Sequence, residues 1–240
     1  MTQASETAVA RSYEIAGQIV TMPVEVRDSS AGTAMFLVPA EEAQELLPGD
    51  AFQVIEAAPG LTQLALVVVD YRDNDLGDYH EVGIVFFVTP KGGGPETAGT
   101  YIWKLPVDQE FTREAGERIW GFPKTVERID FEYTDDRVRC RLEMDGRHVF
   151  TLTVPRRHTD EPAEPLPQLG YTLIGGRPHV TRSTMTSRGT AISPGGEGVE
   201  LELGDHPVAG ALRRLGLPKA AILSTWSEHQ GGVFEAPEPL

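Results

Sequence analysis

Two apolar runs constrain this chain most: Leu64 to Val69, almost unbroken, and Tyr79 to Val88. A run of that length bounded by turn residues reads as a strand, and Leu64 to Val69 as one buried on both faces. Other segments alternate instead. In Thr125 to Tyr133, residues Ile129, Phe131 and Tyr133 interleave with Arg128, Asp130 and Glu132. Arg137 to Met144 alternates arginine with Val138, Cys140 and Leu142, and His148 to Val154 returns after Asp145-Gly146. Asp-Gly between two such runs is a two-residue hairpin signal. These three segments predict an antiparallel meander.

The remaining elements follow from local chemistry. Tyr13 to Val26 reads as strand, Asp28-Ser29-Ser30-Ala31-Gly32 as a turn, and Thr33 to Val38 as the next strand. Phe52 to Ala57, Thr100 to Leu105, Gly170 to Ile174, His179 to Ser187, Val199 to Leu203 and Ala220 to Trp226 are further strand candidates. Short helices are predicted at Ala40 to Leu47, at Asp108 to Gly116 with Asp108 as cap, and at Pro207 to Leu215 with Asp205 as cap. Residues 155–168 and Ile192 to Gly198 read as loops. Strands therefore dominate, and the fold class is α+β, mostly antiparallel. Residues 1–11 read as a flexible tail and residues 12–240 as a single domain.

Composition narrows the function classes. A net charge of −15 argues against nucleic acid or an anionic membrane as partner, since both require basic surfaces. No apolar run reaches the length of a membrane span, and Met1 to Val9 lacks a signal-peptide pattern, so a cytoplasmic location is expected. The single cysteine, Cys140, excludes an internal disulfide and a cysteine-based metal cluster. The histidines show no paired metal-ligand spacing, and no serine lies in a Gly-x-Ser-x-Gly elbow. Neither a metal nor an organic cofactor is expected.

One lysine has an unusual setting. Lysine is scarce here, at Lys91, Lys104, Lys124 and Lys219 only. Lys124 directly follows Trp120-Gly121-Phe122-Pro123. Pro123 fixes its own φ and biases Phe122 toward an extended conformation, so the approach to Lys124 is stiff. Burial beside aromatic rings disfavours the ammonium, and a neutral amine is a nucleophile toward ketones. From these residues alone two readings stand: a reactive amine, or a lysine whose stem packs on Phe122 while its head reaches water. Glu81 has a similar pair of readings. It is a strand-start carboxylate facing solvent, or a partner for a cation. By alternation Tyr79 and Glu81 share one face and His80 takes the other.

Glu117-Arg118-Ile119-Trp120-Gly121-Phe122-Pro123-Lys124 resembles the active-site segment of the acetoacetate decarboxylase family. Leu76-Gly77-Asp78-Tyr79-His80-Glu81 resembles a second block of that family, in the same order along the chain. The likeness runs from about Ser12 to the C-terminus. It implies a closed, cone-like antiparallel β-barrel with a few short helices, and a homo-oligomer. It implies a Schiff-base lyase in which Lys124 attacks a small keto acid and Glu81 moves or orients protons. Decarboxylation of a β-keto acid is the family reaction. Aldolase or dehydratase chemistry on a pyruvate-like acid, or ligand binding without turnover, are the alternatives. Tyr79, Trp120 and Phe122 are the expected walls of the substrate pocket. The family's pocket arginine falls at Ser29 here, and Arg27, two residues earlier, is the candidate replacement. The family's second acid falls at Leu66, and Thr125 stands where a second basic residue often follows the lysine.

Overall fold

A computed structural model describes residues 11–157, 159 and 161–240. Most of the predicted tail lies outside the described residues. Seven strands form a closed ring, in the order Tyr79–Pro90, Leu61–Asn74, Val24–Pro39, Leu223–Phe234, Arg177–Pro194, Leu166–Ile174 and Gly99–Val107. The last strand pairs back onto the first. Every neighbouring pair in the ring is antiparallel except Leu166–Ile174 with Gly99–Val107, which is parallel. The protein is thus mostly β, with a closed mixed barrel and, among the described residues, three short α-helices.

The predicted meander is the second layer. Arg128–Tyr133, Arg137–Met144 and Arg147–Pro155 pair in sequence, and Glu200–Leu203 extends the sheet. Asp145 and Gly146 both have positive φ, as the hairpin type demands. Val138, Cys140 and Leu142 point from this sheet toward Phe36, Leu64, Leu66, Ile84 and Phe86 on the outer face of the barrel. Helix Pro207–Arg214 adds Val208 and Leu212 to the same core. Leu64, Leu66 and Val68 belong to that core, while Val69 and Tyr71 pair with Glu81 and Tyr79 on the inner face. The apolar run therefore has both faces covered.

Several expectations are corrected. Asp28 to Gly32 is not a turn, because the strand runs unbroken from Val24 to Pro39. Its small residues serve close packing instead. A Cβ on Gly32 would stand 3.0 Å from the Trp226 ring, and the Ser29 and Ser30 hydroxyls donate to the Gln230 and Glu228 carbonyls. Arg177–Pro194 continues past the expected end at Ser187, because its later part, Ser183 to Pro194, has a strand partner in Leu223–Phe234. The caps also shift by one residue. Gln109 caps helix Glu110–Ala115 by accepting from the Thr112 amide at 2.7 Å, and His206 caps Pro207–Arg214.

Candidate active site

The segment that resembles the family motif is built by two backbone devices. After helix Glu110–Ala115 the chain widens into one π-helical turn, Gly116–Trp120. Gly121 stops it with φ 69°, a conformation glycine adopts without a Cβ clash. A side chain there would also meet Ile174 and the Leu173 carbonyl at 2.9 Å. Next, the Lys124 amide donates to the Phe122 carbonyl at 2.8 Å, closing a tight turn centred on Pro123. Lys124–Val126 then pairs in parallel with Gly99–Val107, placing Lys124 beside Leu105 at the barrel edge. Gly116 lies under the lysine stem, and a Cβ there would be 2.6 Å from Lys124 Cδ.

These devices carry Lys124 to Glu81. The Lys124 Nζ stands 2.9 Å from Glu81 Oε2, with side chains only 4% and 12% exposed. Nζ also donates to the Thr112 hydroxyl at 2.9 Å and lies 4.8 Å from the Tyr79 ring centroid. The Tyr71 hydroxyl donates to the other carboxylate oxygen, Oε1, at 3.3 Å, and its ring stacks on Tyr79 at 4.4 Å. Burial alone would lower the Lys124 pKa. The Glu81 carboxylate, helped by Tyr79, outweighs it and holds the pKa above the usual lysine value. Burial, and then the negative charge of Glu81, pushes Tyr71 well above the usual phenol range. Burial likewise raises Tyr79.

Burial by itself therefore does not leave Lys124 a free amine. In this arrangement the attraction of Glu81 wins, and the resting site is an ammonium–carboxylate pair. Two groups this close share their protons as a unit.

The pair opens on a cavity of about 80 Å³. Tyr79, Trp120 and Phe122 line it, together with Val24, Val26, Leu76, Ile102, Leu105 and Phe234. Trp120 and Phe122 stack with centroids 5.7 Å apart, and the indole N–H donates to the Glu235 carbonyl at 2.9 Å. His80 points away, as strand alternation requires, with Nδ1 2.7 Å from Asp108.

Arg27 is not brought to the cavity. Val24 and Val26 face it, whereas Arg27 lies outside, held by Asp73 at 2.7 Å and Asp75 at 2.6 Å. Asp73 on the neighbouring strand and Asp75 just past its end fix its direction. Ser29 is buried on Gln230, Leu66 sits in the large core, and Thr125 is exposed. Tyr71 and Thr112 were not among the sequence candidates. Tyr71 follows from the apolar run by alternation, since it stands opposite Tyr79. Thr112 gives no local signal, because only the turn at Gly116–Pro123 folds Lys124 back over its helix.

The model of the acetoacetate decarboxylase (ADC) family matches residues 7–232. The chain belongs to the acetoacetate decarboxylase family. Among solved structures, the acetoacetate decarboxylase of Legionella pneumophila subsp. pneumophila str. Philadelphia 1 aligns with TM-score 0.66 and 18% identity, over 91% of this chain and 87% of that one. The enduracididine biosynthesis enzyme MppR, complexed with the condensation product of pyruvate and imidazole 4-carboxaldehyde, aligns with TM-score 0.66 and 16% identity, over 98% of each chain. An acetoacetate decarboxylase-like enzyme from Sphingomonas wittichii RW1 aligns with TM-score 0.59 and 18% identity, over 93% of this chain and 96% of that one. No curated protein sequence matches the chain. At these identities the structural likeness speaks to the fold.

Proposed function

We propose that this protein is a carbon–carbon lyase that works through a Schiff base on Lys124. The buried contact between Lys124 and Glu81, at the wall of a small apolar cavity, carries the reading. A charge pair taken out of water costs several kcal/mol per ion before its attraction is counted, so it is a poor device for stability. Perturbed titratable groups in a cavity are the mark of proton-transfer chemistry.

The mechanism follows from the pair. As a carbonyl enters, Lys124 passes one proton across 2.9 Å to Glu81 and attacks as a neutral amine. Glu81 returns the proton when the carbinolamine loses water. The product is an iminium beside a carboxylate, so the site ends with the charge it began with. The iminium accepts an electron pair from a breaking bond at the adjacent carbon. Loss of CO2 from a β-keto acid, aldol cleavage and dehydration all use that electron sink. Membership of the family supports the first, and the MppR complex named above supports the condensation chemistry. Neither route needs a metal or an organic cofactor.

The test is intact-mass and peptide mass spectrometry after incubation with a panel of carbonyl compounds and borohydride. A reduced adduct on Lys124 is expected, and Lys124→Ala loses it. A protein that binds ligands without imine chemistry gains no mass at this residue with any carbonyl.

A further inference from the structure

The cavity holds a charge pair that balances itself, and its described lining offers no further cation to a second negative charge. Among the described residues lining it, the sole basic side chain is Lys124, already 2.9 Å from Glu81. Three neutral polar side chains there already hold partners. The Trp120 indole donates to the Glu235 carbonyl at 2.9 Å. The Asn74 amide donates to the Gly77 carbonyl at 2.7 Å and accepts from the Leu76 amide at 2.8 Å. The Tyr71 hydroxyl donates to Glu81 itself. Arg27, the nearest candidate by sequence, is bound to Asp73 and Asp75 outside.

We infer that the substrate is an uncharged aldehyde or ketone rather than a keto acid. This rests on the lysine–imine reading above and deepens it. The imine step exchanges an ammonium for an iminium whatever the carbonyl, so the cavity stays neutral only when the carbonyl brings no charge of its own. The ammonium and the ketone give an iminium and water, Glu81 holds a proton in transit, and the cavity stays neutral throughout. A keto acid would leave one carboxylate without a counter-charge in a site that water barely reaches, next to Glu81. An unpaired charge in such surroundings is strongly disfavoured. A substrate with no carboxylate releases no CO2. The electron sink then serves cleavage or formation of a bond between the α and β carbons, or loss of a β-hydroxyl. The small volume, about 80 Å³, fits a short aliphatic carbonyl better than a drug-sized ligand.

The experiment compares 2-pentanone with acetoacetate, two methyl ketones of similar length, one neutral and one anionic. Each is titrated into the wild-type protein with cyanoborohydride, and adducts are mapped by peptide mass spectrometry, with Lys124→Ala marking background labelling. The expected result is half-saturation of the Lys124 adduct at a concentration at least about tenfold lower for 2-pentanone, as burial of an unpaired charge implies. Equal or tighter trapping of acetoacetate overturns the inference while leaving the lysine–imine reading intact. No Lys124 adduct with either ketone overturns both.

Discussion

The protein buries side chains in two regions that obey different rules. Between the barrel and the four-stranded sheet, Phe36, Leu64, Phe86, Leu142, Phe150 and Leu152 pack with no exposed surface and no charge. Even its thiol, Cys140, is kept protonated by burial. At the other side of the barrel wall, Val24, Tyr79, Trp120 and Phe122 line a cavity that holds an ion pair. The first region has the composition that stability favours, because apolar burial is worth about 25 cal/mol per Å². The second keeps two charges that a well-packed apolar pair could replace at little or no loss. One strand serves both: Val82 and Ile84 face the large core, and Glu81 the cavity. A single residue of register separates scaffold from chemistry.

Substitutions sharpen this contrast. Phe150→Ala removes a ring from the large core and is expected to lower stability by about 3–5 kcal/mol, measured by denaturant melting. The folded fraction should still trap carbonyls on Lys124 at the wild-type rate. A selective loss of trapping would mean the two regions are not separable. Gly116→Ala should do the reverse. The added Cβ presses on Lys124 Cδ and Cε, and a shift of order 1 Å at a reacting atom can slow it about 100-fold. Helix propensity favours alanine over glycine, so folding should suffer less than trapping. An unchanged trapping rate would show that the lysine stem relaxes freely. The smallest effect is expected for Arg27→Ala. Its two ion pairs are exposed, so trapping should stay within about twofold of wild type. A larger loss would return Arg27 to the substrate site.

The sequence makes one region more legible than the other. Period-two alternation in Arg137 to Met144 needs no distant information, and Asp145-Gly146 sets its hairpin, so the meander is readable from local pattern. Glu81 and Tyr79 share a face for the same reason. The long strand Val24–Pro39 is not readable this way. Its Ser29, Ser30 and Gly32 resemble turn residues, and only contact with Trp226 and with the Gln230 and Glu228 carbonyls explains them. Thr112 at the lysine is equally hidden. Arg27 shows the limit of counting two residues along a strand, because the strand pairing shifts register around Asp28 and Arg27 is held by Asp73 and Asp75. The charge state of Lys124 was out of reach for another reason. Burial and a carboxylate act in opposite directions, and only the 2.9 Å distance decides which wins.

The most direct measurement is the pH dependence of cyanoborohydride trapping on Lys124, in the wild type and in Glu81→Gln. With its pKa raised, Lys124 would have little free amine near neutral pH by loss of a proton to solvent. If instead the proton passes within the pair, total proton count is constant, and the rate should be flat from about pH 6.5 to 8.5. In Glu81→Gln the largest influence opposing burial is gone, burial lowers the lysine pKa, and the rate should become sigmoidal with pH. A wild-type rate that climbs about tenfold per pH unit, with the same slope in Glu81→Gln, would contradict the account, because the lysine would then be working without its carboxylate.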